Sequence, residues 1–262
     1  MIARAERLES LRDILAEARR FLSLPQTDPA TRRIPVATGS SDAARRLFHA
    51  GTPIAGTLAE RYLVSRGISD LGALPALRFH PSCFYREHPK APRQAWPAML
   101  AAVTTLDGTI SGVHRTWLAR DGSAKAPIAN PRRAMGSLLG NGVRFGVAAD
   151  VMAAGEGIET MLSLRCLLPS MPMVAALSAA HLAALVLPLG LRRLYIAQDK
   201  DDAGANAARA LAARAMSSGI DALMLNSSLG DFNDDLRVTG LSETQSAVCN
   251  QLISLDKNHI KV

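Results

Sequence analysis

The feature that most constrains the fold is the alternation of short apolar runs with helix-forming segments from about residue 144 onward. The candidate strands lie at 151–154, 173–177, 193–198 and 222–226. The candidate helices between them lie at 158–168, 179–187 and 203–217. Continuous apolar runs of this length are typical of strands that are buried on both faces. Their alternation with helices predicts an α/β fold, a parallel sheet flanked by helices, with a closing helix at 241–255.

Acidic residues follow three of these strands, at the point where each strand is expected to end. They are Glu156 after the first strand, Asp199 and Asp201 after the third, and Asp231 and Asp234 after the fourth. In open α/β sheets, functional groups gather at the carboxyl ends of the strands. Asp199 and Asp201 are two residues apart, so extended backbone would direct both side chains to one face.

Carboxylates gathered in this way repel one another unless a cation neutralises them. Because Mg²⁺ and Mn²⁺ prefer oxygen ligands, we expect Glu156, Asp199 and Asp201 to hold one of these ions. Gly157 permits a tight turn beside the glutamate, and Gly204 opens a helix whose amino end can attract phosphate. The competing interpretation is that the Asp-rich turn only caps this helix. Its pairing with a glutamate after an earlier strand favours the metal site.

The charge of the chain is divided unevenly between its two halves. Residues 1–148 contain 21 Lys and Arg against 11 Asp and Glu, whereas residues 149–262 contain 9 against 12. A basic half beside an acidic half is typical of proteins that present one surface to a polyanion and another to metal ions. The overall formal charge of +7 is equally compatible with an ordinary basic bacterial protein.

Four segments are predicted along the chain. Residues 1–22 have the apolar spacing of an amphipathic helix, and residues 23–40 have the Pro, Ser and Thr content of a linker. Residues 41–146 are predicted to form a smaller α+β domain, and residues 147–262 the α/β domain described above. The charged amino-terminal sequence has no apolar core of a signal peptide, which predicts a cytoplasmic protein.

Within the smaller domain, residues 41–90 are interpreted as mainly helical, beginning with SDAARRLFHAG and GTLAERYLVSRGI. Residues 98–118 read as a β-hairpin that turns at Asp107-Gly108. Basic side chains on and after this hairpin are candidates for binding nucleic acid: His114, Arg115, Lys125, Arg132 and Arg133. Trp117 on the same strand would either stack on a base or lie in the core.

Two further segments have features that are found in metal sites and in membrane spans. His80, Cys83 and His88 could contribute to a metal site, but the chain has no CxxC pair, and its three scattered cysteines fit a reducing cytoplasm. Residues 166–191 contain no Asp, Glu, Lys or Arg and are long enough to span a membrane. Because three prolines divide this segment, we interpret it as part of a buried α/β core and expect no membrane span.

The acidic motifs carry a resemblance to a known family. AAGEGIETMLSL followed by LYIAQDKDDAGANAARAL resembles the Toprim domain of primases, of type IA and type II topoisomerases and of related nucleases. The resemblance covers about 144–240 and implies catalytic, metal-binding roles for Glu156, Asp199 and Asp201. It implies supporting roles for Gly157, Glu159 and Gly204. The segment GDFNDDL resembles one found in Toprim primases of phages and plasmids, which implies supporting roles for Asp231 and Asp234. Residues 41–146 resemble the domain that precedes Toprim in primase-helicases of plasmids, phages and integrative elements.

The resemblance implies a primase-like, magnesium- or manganese-dependent nucleotidyltransferase in the replication of a mobile element or plasmid. Its expected partners are nucleotides and DNA, with single-stranded DNA as the template. The sequence shows neither the zinc-binding module nor the helicase that often accompany such domains, so a separate helicase is an expected partner. Two alternatives stay open: a Toprim nuclease that uses the same metal site for hydrolysis, and a non-enzymatic DNA-binding accessory subunit.

Overall fold

The computed structural model describes residues 40–69, 72–198, 200 and 202–259. The predicted helix at 1–22 and all but the last residue of the predicted linker lie outside these ranges, and so do Asp199 and Asp201. The described residues belong to one compact unit.

The first part of this unit is a four-stranded antiparallel sheet with two helices. Its elements are α1 (Ser41–Ala50), α2 (Leu58–Ser65), β1 (Leu77–Tyr85), β2 (Gln94–Thr104), β3 (Ile110–Trp117) and β4 (Arg132–Gly136), and the strands lie in the order β1-β2-β3-β4. The two helices and the hairpin confirm the sequence predictions. Ser40 caps α1 by accepting a hydrogen bond from the Ala43 amide, and Gly108 takes a positive φ of 84° in the turn.

The prediction that residues 41–90 are mainly helical was wrong for its last part, since 77–85 forms β1. This segment pairs with β2 along its length and directs Leu77, Cys83 and Tyr85 into buried positions. Pro81 lies where the register shifts between His80 and Cys83, so it interrupts no ladder hydrogen bond. Long-range pairing with a strand that lies later in the chain therefore decided the structure of this segment.

The second part is a five-stranded sheet with helices. Its elements are β5 (Val143–Phe145), β6 (Val151–Gly155), α3 (Ile158–Leu167), β7 (Met173–Ala175), α4 (Ala179–Ala183), β8 (Arg193–Gln198), α5 (Asp202–Ser217) and β9 (Asp221–Asn226). The strands lie in the order β5-β7-β6-β8-β9, and all but the antiparallel β5 are parallel. This architecture confirms the α/β prediction. The uncharged stretch supplies β7 and α4, and no helix within the described ranges is long and apolar enough to cross a membrane.

Two helices and a short 3₁₀ helix complete the chain. They are α6 (Phe232–Thr239), α7 (Leu241–Cys249) and the 3₁₀ segment Ser254–His259. The sequence predicted α7, although as a longer helix, but did not predict α6. The carboxylate of Asp231 begins α6 by accepting a hydrogen bond from the Asp234 amide at 2.8 Å.

The two sheets share one hydrophobic core. Met99, Ala101 and Val103 of β2 pack in the same buried cluster as Phe145 of β5 and Ala153 of β6. A separate cluster on the opposite face of the second sheet is covered by α4 and α5. Since β5 pairs with β7 while lying before residue 147, the predicted domain division at that residue stays a prediction.

Candidate active site

A cleft of about 580 Å³ opens at the carboxyl-end edge of the parallel strands. Strands β6 and β8 are parallel neighbours, with Ala153 beside Tyr195 and Ala154 beside Ile196, so both end at this edge. Glu156 directly follows β6, and Asp231 follows β9 at the start of α6, and both line the cleft. The structure therefore brings together carboxylates that are 75 positions apart in the sequence, as the strand-end rule predicts.

The loop after β8 is joined to the loop after β9 through Lys200. Its backbone amide lies 3.3 Å from the Gly230 carbonyl, and its ammonium donates to the Ser228 carbonyl at 2.5 Å. Asp199 and Asp201, the residues on either side of Lys200, lie outside the described part of the chain. Their assignment as metal ligands accordingly stays a prediction from the sequence.

The glycine that precedes Glu156 is required by close packing. A Cβ atom on Gly155 would lie 2.5 Å from Met161 Sδ and 3.1 Å from Ala197 Cβ, so a larger residue would force the buried Met161 side chain to move. Gly157 forms the amino-terminal cap of α3, with a φ of −84°, and borders the cleft. The Gly-Glu-Gly sequence thus allows a buried strand to pass within two residues into a helix.

Glu159 is buried beneath the cleft and binds residues of the first part of the fold. The residue is 7% exposed. Its carboxylate accepts a hydrogen bond from Tyr62 Oη at 2.7 Å, and Lys125 Nζ lies 3.1 Å from the same carboxylate oxygen. Burial by itself would raise the pKa of this carboxyl. The charge of Lys125 and the hydrogen bond from Tyr62 outweigh burial and lower the pKa to about 2. Glu159 is therefore ionised and fixes Lys125 at the cleft.

His114 is the most deeply buried basic side chain of the cleft. It is 8% exposed, and its Nδ1 atom has no hydrogen-bond partner within the described chain. Burial, with the nearby charges of Arg132, Arg115 and Lys125, lowers the pKa of this imidazole to about 4 against the opposing effect of Glu159. At neutral pH this imidazole is therefore neutral, and its Nδ1 atom is buried without a hydrogen-bond partner in the described chain.

The candidate nucleic-acid residues on β3 and β4 divide between the two faces of the sheet. His114 and Arg132 lie on the cleft face together with Lys125, whereas the register pairs Arg115 with Arg133 on the opposite face. Arg115 stacks over Trp117, 4.9 Å from the ring centroid. Arg133 borders the cleft, but its guanidinium donates to backbone carbonyls at the end of β1 and stacks over a tyrosine.

Trp117 lies in the core and is not available to stack on a base. It is 1% exposed, and its indole N–H donates to the Cys83 carbonyl at 3.1 Å. Cys83 is itself buried in the same cluster. Within the described ranges, the chain contains no group of three His, Cys, Asp or Glu side chains able to hold a metal ion, and these ranges include the His80–His88 segment.

The acidic segment at the start of α6 has mainly structural contacts. Asp235 is buried and accepts hydrogen bonds from the Ser228 and Leu229 amides, both at 2.7 Å. Asp234 is half-exposed and lies 4.0 Å from Arg237. Asp231 is the member of this segment that lines the cleft. Asp234 is thus predicted to support the cap of α6, while Asp231 is the one placed to reach a bound ion.

Several residues of the site were not found from the sequence. Arg66 lines the cleft just after the end of α2. Asn233 is fully buried, and its side-chain amide donates hydrogen bonds to the Arg66 carbonyl at 2.8 Å and to Ser163 Oγ at 2.9 Å. His181 also lines the cleft, and burial lowers the pKa of its imidazole. The signal for His181 was its position as the one histidine in the uncharged stretch 166–191.

The two described carboxylates that line the cleft have the chemistry that hard divalent cations prefer, although the described residues alone contain no group of three metal-binding side chains. The carboxylates of Glu156 and Asp231 provide oxygen ligands at one edge of the sheet, which suits Mg²⁺ or Mn²⁺. Gly204 lies buried in the first turn of α5, so that helix begins close-packed against the sheet. Around the carboxylates, Arg66, Lys125 and Arg132 provide the positive charge that a polyanion requires.

Comparison with known proteins agrees with this architecture. Residues 38–145 match a domain of unknown function, DUF7146, and residues 151–242 match the Toprim domain. Among the curated proteins, none matches this chain significantly.

Two crystal structures of primases share the fold. One contains the zinc-binding and RNA polymerase domains of the Aquifex aeolicus primase. Its sequence is 15% identical to this chain, the match covers 96% of this chain and 69% of that chain, and the TM-score is 0.54. The other is a DNA primase domain from Pseudomonas aeruginosa. Its sequence is 13% identical to this chain, the match covers 80% of this chain and 78% of that chain, and the TM-score is 0.52. The chain therefore contains a Toprim domain within a primase-like fold.

Proposed function

We propose that this protein is a divalent-metal-dependent, primase-like nucleotidyltransferase that acts on DNA of a plasmid or mobile element in the cytoplasm. The observation that carries the proposal is the composition of one cleft. Carboxylates at the ends of parallel strands share this cleft with cationic side chains from the preceding part of the fold. Nucleotidyl transfer needs both, because a triphosphate and a template strand must be held beside a cation site.

The side chains of the cleft suggest a division of roles. Glu156 and Asp231, with Asp199 and Asp201, would hold Mg²⁺, which when bound would offset the charge of a triphosphate and polarise its phosphorus centre. Arg66, Lys125 and Arg132 would bind phosphate oxygens, and Glu159 would hold the Lys125 ammonium in place for this contact. His114 would contribute a hydrogen bond from a neutral imidazole, and not a positive charge, to a bound nucleotide.

The proposal is tested by incubating the protein with Mg²⁺, single-stranded DNA and labelled ribonucleotides, and by separating the products on a denaturing gel. We expect short oligonucleotides whose sequence depends on the template, and we expect chelation of the metal to stop their formation. Addition of Mg²⁺ or Mn²⁺ should restore it.

The same assay distinguishes the two alternatives when the DNA is labelled in a parallel reaction. Metal-dependent shortening of the DNA without synthesis would support a Toprim nuclease and contradict the primase proposal. Salt-sensitive DNA binding without any turnover, with and without an added replicative helicase, would support an accessory subunit.

The cationic face of the cleft gives a second expectation. Arg132 is exposed and lies on the cleft face of β4, so Arg132→Ala should weaken binding of single-stranded DNA several-fold, to a similar extent for different sequences. The slope of log affinity against log salt concentration should fall by about one. Fluorescence anisotropy at several salt concentrations measures both quantities.

Arg192→Ala is the matched control for this substitution. Arg192 is exposed and forms an ion pair with Asp150. It lies just before β8, at the edge of the parallel sheet opposite to the one where β8 ends at Gln198. Its removal changes the net charge by the same amount but should leave affinity nearly unchanged. Equal losses for the two variants would mean that net charge, and not the cleft, governs binding.

A further inference from the structure

The segment after β7 contains an unusual backbone conformation at the edge of the cleft. Within the described ranges, Leu177 is the one residue other than glycine that has a positive φ, at 78°. Side chains with a Cβ atom rarely adopt this left-handed conformation, because Cβ approaches the following carbonyl oxygen. Such conformations persist where surrounding contacts impose them, and they concentrate at functional sites.

The contact that accompanies this conformation is made to Glu156. The Leu177 amide donates to the Glu156 carbonyl at 2.8 Å, and the preceding Ala176 amide donates to the Gly155 carbonyl at 2.8 Å. These two bonds continue the β6–β7 ladder past the last paired residues, Gly155 and Ala175. The backbone of the proposed metal ligand is therefore held from the neighbouring strand.

The residues on either side explain why the chain turns at this point. Ser178 follows at once as the cap of α4, and its hydroxyl accepts a hydrogen bond from the His181 amide at 3.3 Å. At Leu177 the backbone therefore leaves the strand, donates its amide to the Glu156 carbonyl and leads directly into the cap of α4. Leu177 also lines the cleft, and its side chain packs against the shared core.

We propose that Leu177 is a positioning residue for Glu156: its left-handed backbone, and not its apolar side chain, fixes the glutamate at the metal site. This inference rests on the proposed function, because the position of Glu156 affects turnover only if Glu156 serves the reaction. It predicts that substitutions at position 177 are ranked by how well they tolerate a positive φ.

Two substitutions separate the backbone role from the side-chain role. Leu177→Ile keeps the apolar volume but adds a β-branch, which disfavours a positive φ strongly. Leu177→Asn loses the apolar contact but tolerates the left-handed conformation. We expect Leu177→Ile to lower kcat about 10- to 100-fold with little change in the KM for nucleotide, since small displacements of catalytic groups have effects of this size. Leu177→Asn should keep kcat within about threefold of the unsubstituted protein, by the same principle.

A second measurement does not depend on turnover. Amide hydrogen exchange should show that the amide at position 177 is protected in the unsubstituted protein and in Leu177→Asn, and that it loses protection in Leu177→Ile. Mn²⁺ titration of the three proteins should give the same ranking for metal affinity.

The outcomes are distinct for the two proposals. If Leu177→Ile retains kcat and protection while Leu177→Asn loses them, the side chain is what matters and the inference is overturned. Equal protection in all three proteins would also overturn it. If the unsubstituted protein shows neither turnover nor Mn²⁺ binding while the exchange ranking holds, the proposed function fails, and Leu177 still fixes the backbone of Glu156.

Discussion

Replacing Glu156 with glutamine is expected to reduce metal-dependent product formation at least about 100-fold while leaving the fold intact. A bound divalent ion supplies several kcal/mol of charge stabilisation to a reaction at phosphorus, and each 1.36 kcal/mol corresponds to about a factor of ten in rate. Glutamine has nearly the same shape as glutamate, so the close packing around Gly155 and the start of α3 should be kept. The loss should therefore be seen in kcat and in Mn²⁺ affinity, and not in the melting temperature.

The control for this prediction is Glu243→Gln, an equivalent change at an exposed position in the first turn of α7. It should have no effect on turnover. The double substitution Asp199→Asn plus Asp201→Asn extends the test to the predicted ligands outside the described residues, with Asp202→Asn as its neighbouring control. Full activity in the double variant would show that the metal assignment is wrong, whatever the effect of Glu156→Gln.

The second large effect is expected in stability, from Glu159→Gln. The pKa of Glu159 falls from its ordinary value of 4.5 to about 2, and at about 1.4 kcal/mol per unit this corresponds to a contribution of about 3 kcal/mol. The substitution leaves Lys125 and Tyr62 without their charged partner. For a chain of this size, a loss of this magnitude lowers the melting temperature by roughly 6–12 °C, which calorimetry at pH 7 would measure.

The pH dependence of this effect has a definite sign. A carboxyl with a lowered pKa contributes its full stability above the unfolded pKa, here about 4.5, and loses it as the pH falls toward about 2. The difference in stability between the original protein and Glu159→Gln should therefore shrink below pH 4.5. Burial also makes protonation of His114 destabilising as the pH falls below about 6.5, and this effect should be larger in Glu159→Gln, because the charge of Glu159 raises the His114 pKa.

A double-mutant cycle with Lys125→Met completes the test. Lys125→Met alone leaves Glu159 buried without its counter-charge and should be strongly destabilising, whereas the double variant should be less destabilised than the sum of the two single changes. Strict additivity would show that the 3.1 Å contact between the two side chains contributes nothing measurable.

Local sequence patterns predicted the four parallel strands of the second sheet, but not the antiparallel β5. The apolar runs at β6, β8 and β9 are long enough and regular enough to identify buried parallel strands, and the observed bounds agree with the prediction to within one residue. Because parallel strands end at a shared edge, the positions of Glu156 and Asp231 at one cleft also followed from the sequence. The Toprim resemblance was carried by the same residues.

The sequence also identified His114, Lys125 and Arg132 as candidates, but not the face on which each would lie. Side chains alternate along a strand, so Arg115 differs from His114 by one position and lies on the other face of the sheet. Which face borders the cleft depends on where the second sheet packs, and no local pattern contains that information.

Tertiary structure alone decided the remaining features of the site. It joined Tyr62 to Glu159 across 97 positions of sequence and placed Arg66 and His181 on the same cleft. It also imposed on Leu177 a conformation that its own side chain disfavours. Periodicity and spacing in the sequence record the constraints of individual strands and helices, whereas these contacts arise between elements and exist only once the two sheets share a core.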